Sequence, residues 1–142
     1  MRKPSAASSL SREPHSPLTF FIDRCLGDRA LADALRAHGL MVQIHKEHFP
    51  PDAPDVEWLR AVGRRRWIVL TKDKMLRHRE TEIAALRDAS VRVFILTAGN
   101  LRAVDMAEAF IRALPRMKRL LEKMRGGFIA KVTRAGNVEL VS

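Results

Sequence analysis

Three aspartates, Asp23, Asp55 and Asp73, are the residues whose type and setting could do chemistry. Asp23 closes the apolar run Leu18-Thr19-Phe20-Phe21-Ile22, and Asp73 follows Trp67-Ile68-Val69-Leu70-Thr71 with only Lys72 between. A strand buried on both faces that ends on an acid delivers a carboxylate to a sheet edge, and open α/β sheets bind ligands beyond the carboxyl ends of their strands. Either acid alone would serve equally well as a helix cap. Two carboxylates at neighbouring strand ends repel one another unless they share a proton or bind a cation, and a hard divalent ion, Mg2+ or Mn2+, takes such oxygen ligands. Asp55 is the third member. Leu59 and Val62, four and seven residues on, place it on the sheet-facing stripe of a helix, whereas Glu57 aligns with Arg60 and Arg64.

Cations surround these acids. Lys72, Lys74, Arg77 and Arg79 follow the third strand and Arg24 follows the first, which is where a phosphodiester backbone would lie. Acids that hold a metal beside bases that hold phosphate suit hydrolysis of a nucleic-acid strand, with the metal lowering the pKa of an attacking water and stabilising charge on phosphorus oxygens.

The elements that must position these groups read as alternating strands and helices. After the first strand, Leu26, Ala30, Leu31, Ala34, Leu35 and Ala37 recur at helical spacing and Gly39 supplies a stop. Leu40-Met41-Val42-Gln43-Ile44 is a second strand. A loop with three prolines leads to a helix opening near Asp55, with Asp52 or Ala53 as its cap. Met75, Leu76, Ile83, Ala84 and Leu86 give a third helical spacing, and Val91-Arg92-Val93-Phe94-Ile95-Leu96-Thr97 a fourth strand. Residues 101–125 form a long helical pattern that Pro115 should kink or divide. Two short apolar runs around Thr133-Arg134-Ala135-Gly136-Asn137 predict a C-terminal hairpin that extends the sheet antiparallel. The fold class is therefore α/β, a three-layer sandwich with a mainly parallel central sheet. In the common doubly wound order 2-1-3-4 the first and third strands are neighbours, which brings Asp23 and Asp73 together.

At 142 residues the chain suits one domain over residues 18–142. Residues 1–17, rich in Ser, Pro and charge, read as a flexible tail. No apolar run approaches membrane-spanning length and no secretory signal is evident, so a cytoplasmic protein is expected. Cys25 is the only cysteine, which excludes an internal disulfide, and it reads as filler of a small buried gap. Lys and Arg total 26 against 16 Asp and Glu, a net charge of +10. Residues 64–79 hold seven basic residues against the single Asp73, and residues 112–134 hold eight against the single Glu122, which points to a polyanion or an acidic protein partner. Arg116, Lys118, Arg119 and Lys123 give one helix face this character. His45-Lys46-Glu47-His48 lacks the further ligands of a zinc site and reads as a loop with surface histidines, while Trp58 and Trp67 read as core.

Phe20-Phe21-Ile22-Asp23-Arg24-Cys25-Leu26-Gly27, Pro54-Asp55-Val56-Glu57-Trp58-Leu59 and Trp67-Ile68-Val69-Leu70-Thr71-Lys72-Asp73 together resemble the PIN-like domain of VapC-type toxins, over residues 18–141. The resemblance implies a metal-dependent ribonuclease of the toxin–antitoxin kind, with RNA as substrate, a cognate antitoxin protein as partner, and Asp23, Asp55 and Asp73 as its acidic positions. A homodimer is compatible with it. Many PIN nucleases carry a fourth acidic or amide position, for which Asn100 and Glu82 are the candidates here. Related families often have an acid beside the first Asp, where this chain has Arg24, a residue suited to phosphate. Two other readings compete: a PIN-like module that binds RNA or protein without cutting it, and a phospho-acceptor receiver domain, which the Asp23-Arg24 pair and the lack of a later Lys-Pro signature fit less well.

Overall fold

A computed structural model describes residues 18–27 and 29–141, apart from the side chain of Arg77. The tail expected over residues 1–17 lies outside the described residues. The elements in order are β1 (Thr19–Ile22), α1 (Arg29–Ala37), β2 (Met41–Ile44), α2 (Asp55–Arg64), β3 (Ile68–Thr71), α3 (Glu80–Asp88), β4 (Arg92–Leu96), α4 (Ala103–Lys123), β5 (Phe128–Val132) and β6 (Val138–Leu140). Short 3-10 turns at Arg24–Leu26, His45–Glu47 and Leu76–His78 follow β1, β2 and β3.

Among the described residues the strands form one sheet of six in the order β2-β1-β3-β4-β5-β6. The neighbours from β2 to β5 are parallel, with Phe20 opposite both Val42 and Ile68, Leu70 opposite Phe94, and Ile95 opposite Lys131. The expected adjacency of the first and third strands is observed. The hairpin is also present, since β6 runs antiparallel to β5. Within it, β5 joins β4 in parallel, so only the edge strand reverses direction. The long return through α4 gives the chain room to re-enter the sheet in the same sense.

Alternate side chains of the strands face opposite helix layers. Phe20, Ile22, Ile68, Leu70, Phe94, Phe128 and Ala130 pack with Leu31 and Leu35 of α1 and with Met106, Phe110, Ala113 and Met117 of α4. Phe21, Val69, Val93, Ile95 and Ile129 pack with Trp58, Leu59 and Val62 of α2 and Leu86 of α3. A sheet covered on both faces explains why the inner strands read as apolar runs without polar alternation.

Three local expectations are corrected. Pro115 lies inside a single 21-residue helix and does not divide it. The buried Met106, Phe110 and Met117, on both sides of it, each stabilise the continuous helix by about 1.5–3 kcal/mol, which outweighs the roughly 3 kcal/mol cost of an interior proline. Pro54, rather than Asp52 or Ala53, precedes α2, and no side chain caps that helix; the Pro54 carbonyl accepts from Glu57 N at 3.0 Å. The third helical pattern is broken into the turn at Leu76–His78 and α3, because Arg79 takes an extended backbone between them.

Candidate active site

Asp23 leaves β1 at the carboxyl edge of the sheet, its backbone N still paired to Leu70 O of β3 at 3.0 Å. Its carbonyl accepts from Leu26 N at 3.0 Å and so closes the following turn, while its side chain caps nothing. Asp23 as a whole is 7% exposed. Oδ2 accepts a hydrogen bond from Thr71 Oγ1 at 2.8 Å, and Cys25 Sγ lies 3.5 Å away. Thr71, fully buried at the end of β3, also accepts from Asp73 N at 3.0 Å. One hydroxyl thus ties the acid after β1 to the backbone of the acid after β3.

Asp73 begins a tight turn, with Oδ1 accepting from Met75 N at 3.1 Å. Its Oδ2 accepts from Arg79 Nη1 at 2.8 Å. Asp55, in the first turn of α2, is fixed by Trp58 Nε1 at 2.8 Å and Arg24 Nη2 at 3.2 Å, both on Oδ1. Its Oδ2 is 3.6 Å from Arg79 Nη1. Glu82 on α3 completes the group, with Oε1 2.9 Å from the same Arg79 nitrogen.

The three predicted acids therefore sit on one edge of the sheet, linked by side-chain bridges. Arg79 joins Asp55 to Asp73, and Thr71 joins Asp23 to the Asp73 backbone. Glu57 is exposed, as its helical position predicted. Of the two candidates for a fourth acid, Glu82 shares the Arg79 guanidinium, and Asn100 is exposed in the loop before α4 with a left-handed φ of 49°. Among the residues expected to contact phosphate, Lys72 and Lys74 are exposed and form no ion pair among the described residues. Arg24 and Arg79 are instead directed at carboxylates, and the Arg77 side chain lies outside the described residues. A cavity of about 180 Å³, lined by Lys74, Ile95, Thr97 and Lys131, opens on the same edge of the sheet.

His45 corrects the reading of its loop as a pair of surface histidines. It is 1% exposed, beside Phe21, Phe49 and Trp58, and its Nε2 is 3.0 Å from Arg24 Nη1. A guanidinium only donates, so Nε2 accepts and the ring is neutral. Burial, followed by the Arg24 charge, holds this imidazole below its ordinary 6.5. His48 is exposed and bonds Gln43 at 2.8 Å. Cys25 is half-buried, and burial and then the Asp23 charge push its thiol up from the ordinary 9.0, which keeps it protonated. The Arg79 guanidinium is held firmly in its charged form by hydrogen bonds to Glu82 and Asp73. His45 and Thr71 carry no motif of their own. Only their places, just after β2 and at the last position of β3 in a parallel sheet, could have pointed to them.

Four carboxylates, those of Asp23, Asp55, Asp73 and Glu82, share this edge with two guanidinium groups, leaving an excess of two negative charges among them. That excess and the hard oxygen donors suit a divalent ion. Among the described residues, however, no three acid, histidine or cysteine side chains are drawn together as a ligand set. Arg79 stands among the acids that would have to converge.

Comparison with known proteins matches residues 18–98 to a family model described as "PIN like domain". The chain is 26% identical over 116 residues to a protein named "Putative ribonuclease VapC45" from Mycobacterium tuberculosis (strain ATCC 25618 / H37Rv), covering 79% of this chain and 83% of that protein. No solved structure matches the chain. No helix among the described residues is long and apolar enough to cross a membrane.

Proposed function

The chain belongs to the PIN-like domain family, and from that premise we propose that it is a Mg2+- or Mn2+-dependent endoribonuclease, the cytoplasmic toxin of a type II toxin–antitoxin pair inhibited by a cognate antitoxin protein. The observation that carries this reading is the carboxylate group at the carboxyl edge of the parallel sheet. Asp23, Asp55 and Asp73 are brought to that edge from β1, α2 and the turn after β3, and the exposed Lys72 and Lys74, which flank Asp73 in the chain, form no ion pair among the described residues. The ribonuclease name of the mycobacterial relative supports it.

Asp23, Asp55 and Asp73 would hold the ion, which when bound supplies Lewis-acid stabilisation of the phosphoryl oxygens and a water of lowered pKa. The chain's own residues prepare that site. Thr71 Oγ1 holds the Asp23 carboxylate, Trp58 Nε1 and Arg24 hold Asp55, and the Met75 amide holds Asp73, so each acid starts from a defined position at the sheet edge from which the three would have to converge on the ion. Neutral His45 supports Arg24 from behind without adding charge. Lys72 and Lys74, with Lys131 across the neighbouring cavity, neutralise the RNA backbone and hold it at the sheet edge.

Purified protein is expected to cut RNA with Mg2+ or Mn2+ and to stop when the metal is chelated. Asp23→Asn and Asp73→Asn are each expected to remove cleavage while the circular dichroism of the fold is retained. Full activity in both variants would refute the assignment. A second reading, a PIN-like module that binds RNA without cutting it, is favoured by one observation: Arg24 and Arg79 already neutralise part of the acidic group. A metal-dependent cut that disappears with Asp73→Asn decides against that module.

A further inference from the structure

Three carboxylates on three elements meet one guanidinium. Arg79 Nη1 lies 2.8 Å from Asp73 Oδ2, 2.9 Å from Glu82 Oε1 and 3.6 Å from Asp55 Oδ2, and Nη2 lies 3.4 Å from Asp73 Oδ1. Even with Arg24 on Asp55, two positive charges do not balance three negative ones, so these carboxylates repel each other around the one guanidinium they all share. The two arginines of the site differ in how they are held. Arg24 donates to Asp55 and is also seated on neutral groups, with Nη1 3.0 Å from His45 Nε2 and 3.4 Å from Ala53 O. Among the described residues every side-chain partner of Arg79 is a carboxylate. Its backbone is fixed independently, because the Arg79 carbonyl accepts from Ile83 N at 2.9 Å in the first turn of α3. The side chain, 40% exposed, can swing outward while its anchor stays in place.

We propose that Arg79 is an internal counter-cation that exchanges with the divalent ion, so that Asp55 and Asp73 hold either the guanidinium or the metal. This rests on the metal-dependent reading above and adds a positioning role for Arg79. Asp73 Oδ2, the oxygen nearest to Arg79, is one that an ion would need, and a divalent charge beside a guanidinium is repelled by it. Before metal arrives, Arg79 keeps Asp55, Asp73 and Glu82 close in spite of their mutual repulsion. Once displaced, the guanidinium is free to face the phosphates of RNA, for which its planar fork is well matched.

The test is Mn2+ titration of the full chain by calorimetry, without RNA, comparing wild type with Arg79→Gln, Arg79→Lys and Asp73→Asn. Arg79→Gln is expected to bind Mn2+ about tenfold more tightly than wild type, since removing a competing charge a few ångströms away is worth about that factor. Arg79→Lys keeps the charge and should stay within about threefold of wild type. Unchanged or weaker binding in Arg79→Gln, with binding lost in Asp73→Asn, overturns the exchange while leaving the metal-dependent reading intact. No Mn2+ binding by any of these proteins overturns both. Should Arg79→Gln fail to fold, the wild type answers by nuclear magnetic resonance. The Arg79 guanidinium N–H signal, protected without metal, should broaden or vanish at saturating Mg2+, and a signal that persists unchanged overturns the proposal.

Discussion

Thr71→Val is the sharpest probe of how the site is held together. The substitution keeps the shape of the side chain and the β-branched preference of a strand while deleting a hydroxyl that bonds Asp23 and the Asp73 amide and also lies 3.1 Å from Cys25 Sγ. Thr71 Oγ1 donates to the buried Asp23 carboxylate at 2.8 Å and accepts from Asp73 N at 3.0 Å. A hydrogen bond to a charged group contributes about 1.5–3 kcal/mol, and leaving the Asp73 amide without its acceptor adds about 1 kcal/mol. The expected loss is therefore about 3 kcal/mol, equivalent to roughly 10 °C in Tm for a domain of this size. Urea unfolding at pH 7, followed by circular dichroism, measures it. Thr71→Ser retains the hydroxyl and loses only a methyl group, so it should cost about 1 kcal/mol. A double-mutant cycle with Asp23→Asn should show coupling of about 1–2 kcal/mol, because the neutral amide is a weaker acceptor than the carboxylate. A Thr71→Val loss below about 1 kcal/mol, or equal losses for Val and Ser, would refute the bridging role.

Two further outcomes follow from the geometry. His45 is held neutral in the fold, below its ordinary 6.5, so the unfolded chain takes up a proton more readily; stability is complete above 6.5 and is lost as pH falls below it, by at most about 1.4 kcal/mol per pH unit. The Tm of wild type should fall between pH 7.5 and pH 5 more steeply than that of His45→Gln, and parallel curves would sink this assignment. Gly63→Ala in α2 would gain about 1 kcal/mol from helix propensity, but its Cβ would meet Ala89 O at 2.5 Å and Ala89 Cβ at 2.6 Å, an overlap that costs about 1–3 kcal/mol. Net destabilisation in urea is expected, with Gly99→Ala, which meets nothing within 4 Å, as the neutral control.

The amino-acid sequence by itself determined the architecture. Five-residue apolar runs such as Trp67-Ile68-Val69-Leu70-Thr71 can be satisfied only by strands covered on both faces, and helical spacings between them require parallel crossovers. From that order follow the pairing of β1 with β3 and the placing of Asp23 and Asp73 on one edge. Helix periodicity likewise separated Asp55, which bonds Trp58 Nε1 inward, from the exposed Glu57. Periodicity could not foresee that α4 runs through Pro115, because the balance depends on how much of Met106, Phe110 and Met117 the sheet covers.

Only the tertiary structure decided how the site's charges are shared. Arg24 and Arg79 read as phosphate ligands from their neighbours in the chain, yet side chains up to 31 residues apart, as with Arg24 and Asp55, settle where each guanidinium goes. The burial of His45 and the double role of Thr71 depend in the same way on contacts across strands, His45 meeting Arg24 and Thr71 meeting Asp23. Strand and helix patterns are set by near neighbours and by which face meets water, so they are written locally. The partner that a carboxylate keeps is chosen by distance and desolvation in three dimensions, and a linear pattern does not record either.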